Sequence, residues 1–125
     1  MPAVTQFSLT LENRPGALAE VCSELAAKAV NIEAIMNAGG TVRLVVNSPE
    51  TGRKVLESIG VRFSEERAFA VRLNDRPGAL GRITRKLAEN NINIDYSYGS
   101  IEKGSPKALV VLGLSDLARA AKILK

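Results

Sequence analysis

The sequence predicts an α+β fold: two ferredoxin-like βαββαβ units in tandem, with antiparallel sheets and helices on one face, the second unit lacking its last strand. Three observations predict it. The hexapeptide Asn13-Arg14-Pro15-Gly16-Ala17-Leu18 returns as Asp75-Arg76-Pro77-Gly78-Ala79-Leu80, an offset of 62 (75 less 13). The same offset matches Phe7 with Phe69, Leu11 with Leu73, Leu25 with Leu87, and Asn31-Ile32 with Asn93-Ile94. Around each copy, apolar residues first alternate and then recur at helical spacing. The two units are residues 1–66 and 67–125.

Each element follows from local chemistry. Phe7, Leu9 and Leu11 alternate with polar residues, as do Phe69, Val71 and Leu73, so each set marks a strand with one face on a core. The Arg-Pro-Gly turn comes next. Proline has a helix-ready φ and no N–H, which suits a first helical position, and Asn13 or Asp75 stands where a short polar side chain caps free amides. Leu18, Val21, Cys22, Leu25 and Ala26 then form a helical stripe, repeated by Leu80, Ile83, Thr84, Leu87 and Ala88, and Cys22 reads as core. Asn31-Ile32 and Asn93-Ile94 open second strands, in which Ile94, Tyr96 and Tyr98 are expected to share a face. Thr41 to Val46 and Lys107 to Leu112 are third strands, apolar enough to be central. Ser48-Pro49-Glu50 starts a second helix that Gly60 ends, and Val61 to Ser64 forms a fourth strand. Ser115-Asp116 starts the matching helix of the second unit, but the sequence ends at Lys125 with no fourth strand. The edge beside Phe69 to Leu73 is therefore expected to be filled by another part of this chain or by a second chain, giving a homodimer.

Composition excludes several chemistries. With no His and one Cys among 125 residues, His-ligated metals, His bases, CxxC pairs and disulfide frameworks are excluded. No apolar run is long enough to span a membrane, and the start has no signal-peptide pattern, so a soluble cytoplasmic protein is the default reading. The first part, through Arg62, holds 6 basic and 6 acidic residues, leaving 11 and 7 of the 17 basic and 13 acidic residues for the second. All of the net charge of +4 thus lies in the second part. RNA-recognition domains share this topology, but without an aromatic pair on a central strand no nucleic-acid partner is expected.

The strand ending in Glu12-Asn13-Arg14-Pro15-Gly16-Ala17-Leu18, with Val30-Asn31-Ile32 after the helix, resembles an ACT domain. Asn74 to Leu80 with Ile92-Asn93-Ile94 resembles a second, so nearly the whole chain resembles a free-standing tandem ACT protein. The resemblance implies a non-catalytic regulator that binds an amino acid between paired units and acts on an enzyme of amino-acid metabolism. No cofactor is implied. A regulatory subunit or scaffold that binds a partner enzyme without a metabolite is the alternative.

The ligand-binding candidates are Asn13, Arg14, Pro15, Gly16, Ala17, Leu18 and Asn31, with Asp75, Arg76, Gly78, Ala79, Leu80 and Asn93 in the copy. The amides of Gly16, Ala17 and Leu18 at a helix start suit a carboxylate, and glycine lets a ligand approach the backbone. Asn13 has both donor and acceptor, and in ACT domains the matching residues to Asn13 and Asn31 commonly hold the ligand, with Asn31 contributed by a facing unit. Asp75 only accepts, and a carboxylate about 4 Å from another repels it by roughly 4 kcal/mol at an effective dielectric of 20, so the Asn13 site is favoured for the amino acid. Asp75 with Asn93 remains suited to an ammonium group. A purely structural reading also stands: Pro-Gly as a turn, Asn13 and Asp75 as caps, Asn31 and Asn93 as strand starts, the arginines as solvated surface.

Overall fold

The computed structural model describes residues 3–101 and 106–124. Ten elements follow in chain order: β1 (Ala3–Thr10), α1 (Ala17–Ala27), β2 (Ile32–Ala38), β3 (Thr41–Val46), α2 (Pro49–Ser58), β4 (Arg62–Asn74), α3 (Ala79–Glu89), β5 (Ile94–Ile101), β6 (Lys107–Leu114) and α4 (Leu117–Ile123). The fold is α+β and is built from tandem ferredoxin-like units. Contacts divide the chain into Thr5–Glu66 and a second unit made of Met1–Val4 with Arg67–Lys125.

In the unit Thr5–Glu66 the strand order is β2-β3-β1-β4. Phe7 and Leu9 of β1 and Val42, Leu44 and Val46 of β3 turn one face of this sheet to Val21 and Leu25 of α1 and to Val55 and Leu56 of α2. The period of two along the strands meets the helical stripes there, and every one of these side chains is buried. Phe63 closes the cluster edge-on against Phe7, with ring centroids 5.8 Å apart. On the other sheet face Gln6 is fully buried, and its Nε2 donates to Glu66 Oε1 at 3.0 Å. Glu66 also faces Arg43, at 3.9 Å.

The tight β2–β3 hairpin docks on the end of β1. Leu11 N–H donates to the Gly40 carbonyl at 2.7 Å. Gly40 has φ +97°, and a Cβ there would overlap the Leu11 carbonyl. Gly40→Ala is therefore expected to destabilise the protein by about 1–3 kcal/mol, read as a lower urea midpoint, and an unchanged midpoint would contradict this packing.

The second unit repeats the plan with the order β4-β6-β5. Phe69 and Val71 of β4 and Leu112 of β6 pack on Leu87 of α3 and Ala120 of α4. Asp116 caps α4, its carboxylate accepting from Arg119 N–H at 3.0 Å.

Three expectations change, and one of two stated alternatives is found for a fourth. The fourth strand of the first unit and the first strand of the second are one continuous strand, β4, of 13 residues. No glycine or proline interrupts it, and its polar stretch is held: Glu65 accepts from Arg53 Nε at 2.8 Å, and Arg67 donates to the Ala3 carbonyl at 3.0 Å. The place beside the start of the second unit's first strand, at Arg67, is taken by another part of this chain, β1, whose Ala3 and Val4 belong to that unit. The tyrosines do not share a face with Ile94. The register slips between Ile94 and Tyr96, so Ile94 joins the core while Tyr96 lies opposite Gly113 and Tyr98 opposite Val111 on the other face. Cys22, read as core, is only half-buried, because Val21 and Leu25 take the centre of the stripe.

Candidate functional site

The repeated turn has the same backbone in both units. Arg14, Pro15, Gly16 and Ala17 form a reverse turn closed by Ala17 N–H donating to the Arg14 carbonyl at 3.3 Å, and Arg76 to Ala79 repeat it at 3.3 Å. Proline holds the second position, and glycine holds the third with φ +89° and +87°, the pattern of a type II turn. The helices therefore start one residue beyond the glycine. Pro15 and Pro77 are not first helical residues, and neither Asn13 nor Asp75 caps a helix; Gly16 and Gly78 occupy the cap positions without a side-chain bond. The Ala17 and Ala79 amides are spent inside the turn, which corrects the expectation that Ala17 N–H is free for a ligand.

The arginine after the Asn or Asp separates the units. Arg14 lies folded on its own turn: its Nε donates to Glu12 at 3.1 Å, its Nη1 to the Pro15 carbonyl at 3.2 Å, and its Nη2 faces Glu20 at 3.5 Å. At the offset of 62 (12 to 74, 20 to 82), Glu12 becomes Asn74 and Glu20 becomes Arg82. Arg76 thus loses both counter-charges, and Asn74 instead accepts from Lys107 Nζ at 2.8 Å. Arg82 curls over the turn, its Nη1 3.7 Å from where a Cβ on Gly78 would lie. The first turn of α3 carries no acidic residue, whereas that of α1 carries Glu20. The first turn of α3 thus adds no negative charge at its positive end, whereas Glu20 does so at that of α1.

Each unit also has a cavity. In the second unit an open cavity of about 410 Å³ is lined by Asp75 and Arg76 from the turn, Ala79 and Leu80 from α3, and Leu73, Leu109 and Val110 from the sheet, with Asn74 and Ser100 also on its wall. Its size falls within the range of roughly 300–1,000 Å³ usual for small-molecule sites. Leu80 is 45% exposed, and it stands on this cavity's wall. In the first unit a cavity of about 530 Å³ lies between α1 and the segment after α2, with Glu12, Arg14, Glu20 and Glu24 on its wall. Asn13, Pro15, Gly16 and Leu18 lie outside its lining, as does Gly78 outside that of the second-unit cavity.

Asn31 and Asn93 stand at the far end of their sheets. Thr10 pairs with Thr41 at one end of β3, and Ile32 with Val46 at the other. Five steps along the strand put the two ends about 17 Å apart. The Asn31 N–H donates to Asn47 Oδ1 at 2.9 Å, and Asn93 N–H to Ser115 Oγ at 2.9 Å, so both hold strand ends together. Within a unit they do not reach Asn13 or Asp75.

Sequence reasoning missed Arg82 and the cavity wall of Leu73, Leu109 and Val110. The first was legible: the same offset that revealed the repeat shows Glu20 replaced by Arg82. The wall was not, because it needs the third strand folded back beside the turn.

Residues 2–124 match a family model described as an ACT domain pair. The chain belongs to the ACT domain-pair family. The regulatory ACT fold accounts for both units, and similar structures agree. Protein BT0572 from Bacteroides thetaiotaomicron superposes with a TM-score of 0.90 at 26% identity, over 98% of this chain and 86% of that one. The ligand-free regulatory subunit of aspartate kinase from Thermus thermophilus gives 0.66 at 18% identity, over 94% and 85%. E. coli aspartokinase III in complex with lysine and aspartate gives 0.59 at 19% identity, over 98% of this chain and 32% of that one. No curated protein matches this ACT domain pair by sequence. Among its described residues no helix is long and apolar enough to cross a membrane.

Proposed function

We propose that this ACT domain pair is a non-catalytic cytoplasmic sensor that binds a free amino acid and modulates an enzyme of amino-acid metabolism. The observation that carries this reading is the second-unit turn, where Arg76 has no counter-charge among the described residues and borders a cavity beside the start of α3. The ligand carboxylate takes the place that Glu12 and Glu20 hold in the first unit. Its ammonium meets Asp75. The repulsion that argued against Asp75 is offset by two guanidinium groups at the same turn, and this favours the second-unit site over the Asn13 site. The likeness to an aspartate kinase regulatory subunit supports an enzyme as the target.

A thermal-shift screen of the common amino acids tests the reading. A ligand at 100 times its dissociation constant adds about 2.7 kcal/mol to stability. Arg76→Gln and Asp75→Asn are each expected to weaken binding by about ten- to a hundredfold, the weight of a charge-assisted hydrogen bond. Asn13→Ala is expected to leave it within about twofold. A flat response of the folded protein to every amino acid would sink the proposal and leave the scaffold reading, which lysate capture with and without amino acids would then address.

A further inference from the structure

From the lining of the second-unit cavity we infer that its amino acid carries an uncharged aliphatic side chain, an inference that rests on the proposed sensor reading. Asp75 and Arg76 are the only charged residues among the described ones that line the cavity. Both are exposed, so they stand at its rim. A zwitterion's ammonium and carboxylate use both of them, which leaves no further charged group among the described lining residues for the ligand's side chain. What remains for that side chain is mostly apolar, led by Leu73, Ala79, Leu80, Leu109 and Val110, with Asn74 and Ser100 as neutral polar neighbours. Against that wall a lysine or aspartate side chain gives up its hydration without an opposite charge to replace it, which is costly. An aliphatic chain gains instead, by covering Leu80, the one large apolar side chain of this unit left exposed among the described residues.

The first-unit cavity makes the contrast. Three glutamates and two arginines line it, and Arg14 is already held by Glu12 and Glu20. The repeat thus kept the turn and changed the chemistry beside it. Selectivity follows from both attraction and exclusion: methylene groups bury against the leucines, and a charged ligand end meets no partner.

Calorimetric titration of the full chain with alanine, 2-aminobutyrate, valine, leucine, lysine and aspartate tests the inference. Affinity is expected to rise by about fourfold per added methylene from alanine to leucine, and lysine and aspartate are expected to bind at least about tenfold more weakly than leucine. Leu80→Glu, at an exposed position that tolerates charge, is expected to weaken leucine by at least about tenfold. Should lysine or aspartate bind as tightly as leucine, with Arg76→Gln abolishing that binding, the aliphatic assignment is overturned while the sensor reading stands. Should none of the six bind, and none of the remaining common amino acids shift the melting point, both fall together. Leucine binding left unchanged in Leu80→Glu would place the ligand elsewhere and overturn the inference.

Discussion

Exchanging Asn74 and Arg82 together for glutamate is expected to abolish amino-acid binding while leaving the fold intact. The double variant copies onto Arg76 the two carboxylates that hold Arg14 through contacts of 3.1 and 3.5 Å in the first unit. Arg76 would then be neutralised internally, and the start of α3 would carry an acidic residue where it now has none. An incoming carboxylate would meet two like charges beside Arg76, at positions that now carry no negative charge. A single unit pair at about 4 Å and an effective dielectric of 20 is worth roughly 4 kcal/mol, so even after solvent screening a loss of at least about a hundredfold is expected by calorimetry. Both positions are exposed, and a glutamate early in a helix is favourable, so the melting temperature of the free protein should hold. Binding that survives in the folded double variant would refute the assignment of Arg76 as the carboxylate partner.

Phe69→Ala is expected to have the largest effect on stability. Phe69 is fully buried and joins Val71, Leu87, Leu112 and Ala120 in the core of the second unit. Truncating a buried phenylalanine costs about 3–5 kcal/mol, from lost transfer energy and the cavity left behind. A chain of 125 residues has a total of roughly 6–19 kcal/mol at 0.05–0.15 kcal/mol per residue, so the loss is a substantial part of it. Urea denaturation followed by circular dichroism measures it, and a change below about 1 kcal/mol would mean the core is not organised around this ring. The equivalent ring at the offset, Phe7, has the same burial in the first unit. The two truncations are therefore expected to cost similar amounts.

Much of the fold was legible because its signals are local. Alternation at Phe7, Leu9 and Leu11 and at Phe69 and Val71 needs only the strand's own geometry, and the stripes of α1 and α3 need only the helical period. What failed, failed where a local rule competed with another. Pro15 and Pro77 fit a first helical position by φ, yet the glycine that follows prefers a positive φ, and a type II turn satisfies both residues. The tyrosines fit a simple alternation with Ile94, but the slip between Ile94 and Tyr96 reverses the face of everything after it. The candidate site was half legible. Its residue types and its duplication stand in the chain, and so does the exchange of Glu12 for Asn74 and of Glu20 for Arg82. The ion pairs that make that exchange matter were not.

The sequence by itself determined a duplicated α+β unit, the positions of its strands and helices, the glycines of its turns and the surplus of positive charge in its second half. These depend on backbone preference and on the spacing of apolar residues, which act over a few positions. Only the tertiary structure decided which turn holds its arginine in ion pairs, where a cavity lies beside each turn, and that the chain's own first strand lies beside β4. Ion pairs, cavities and strand neighbours depend on residues such as Arg67 and Ala3, 64 positions apart in sequence and 3.0 Å apart in the fold, and no local pattern carries that distance.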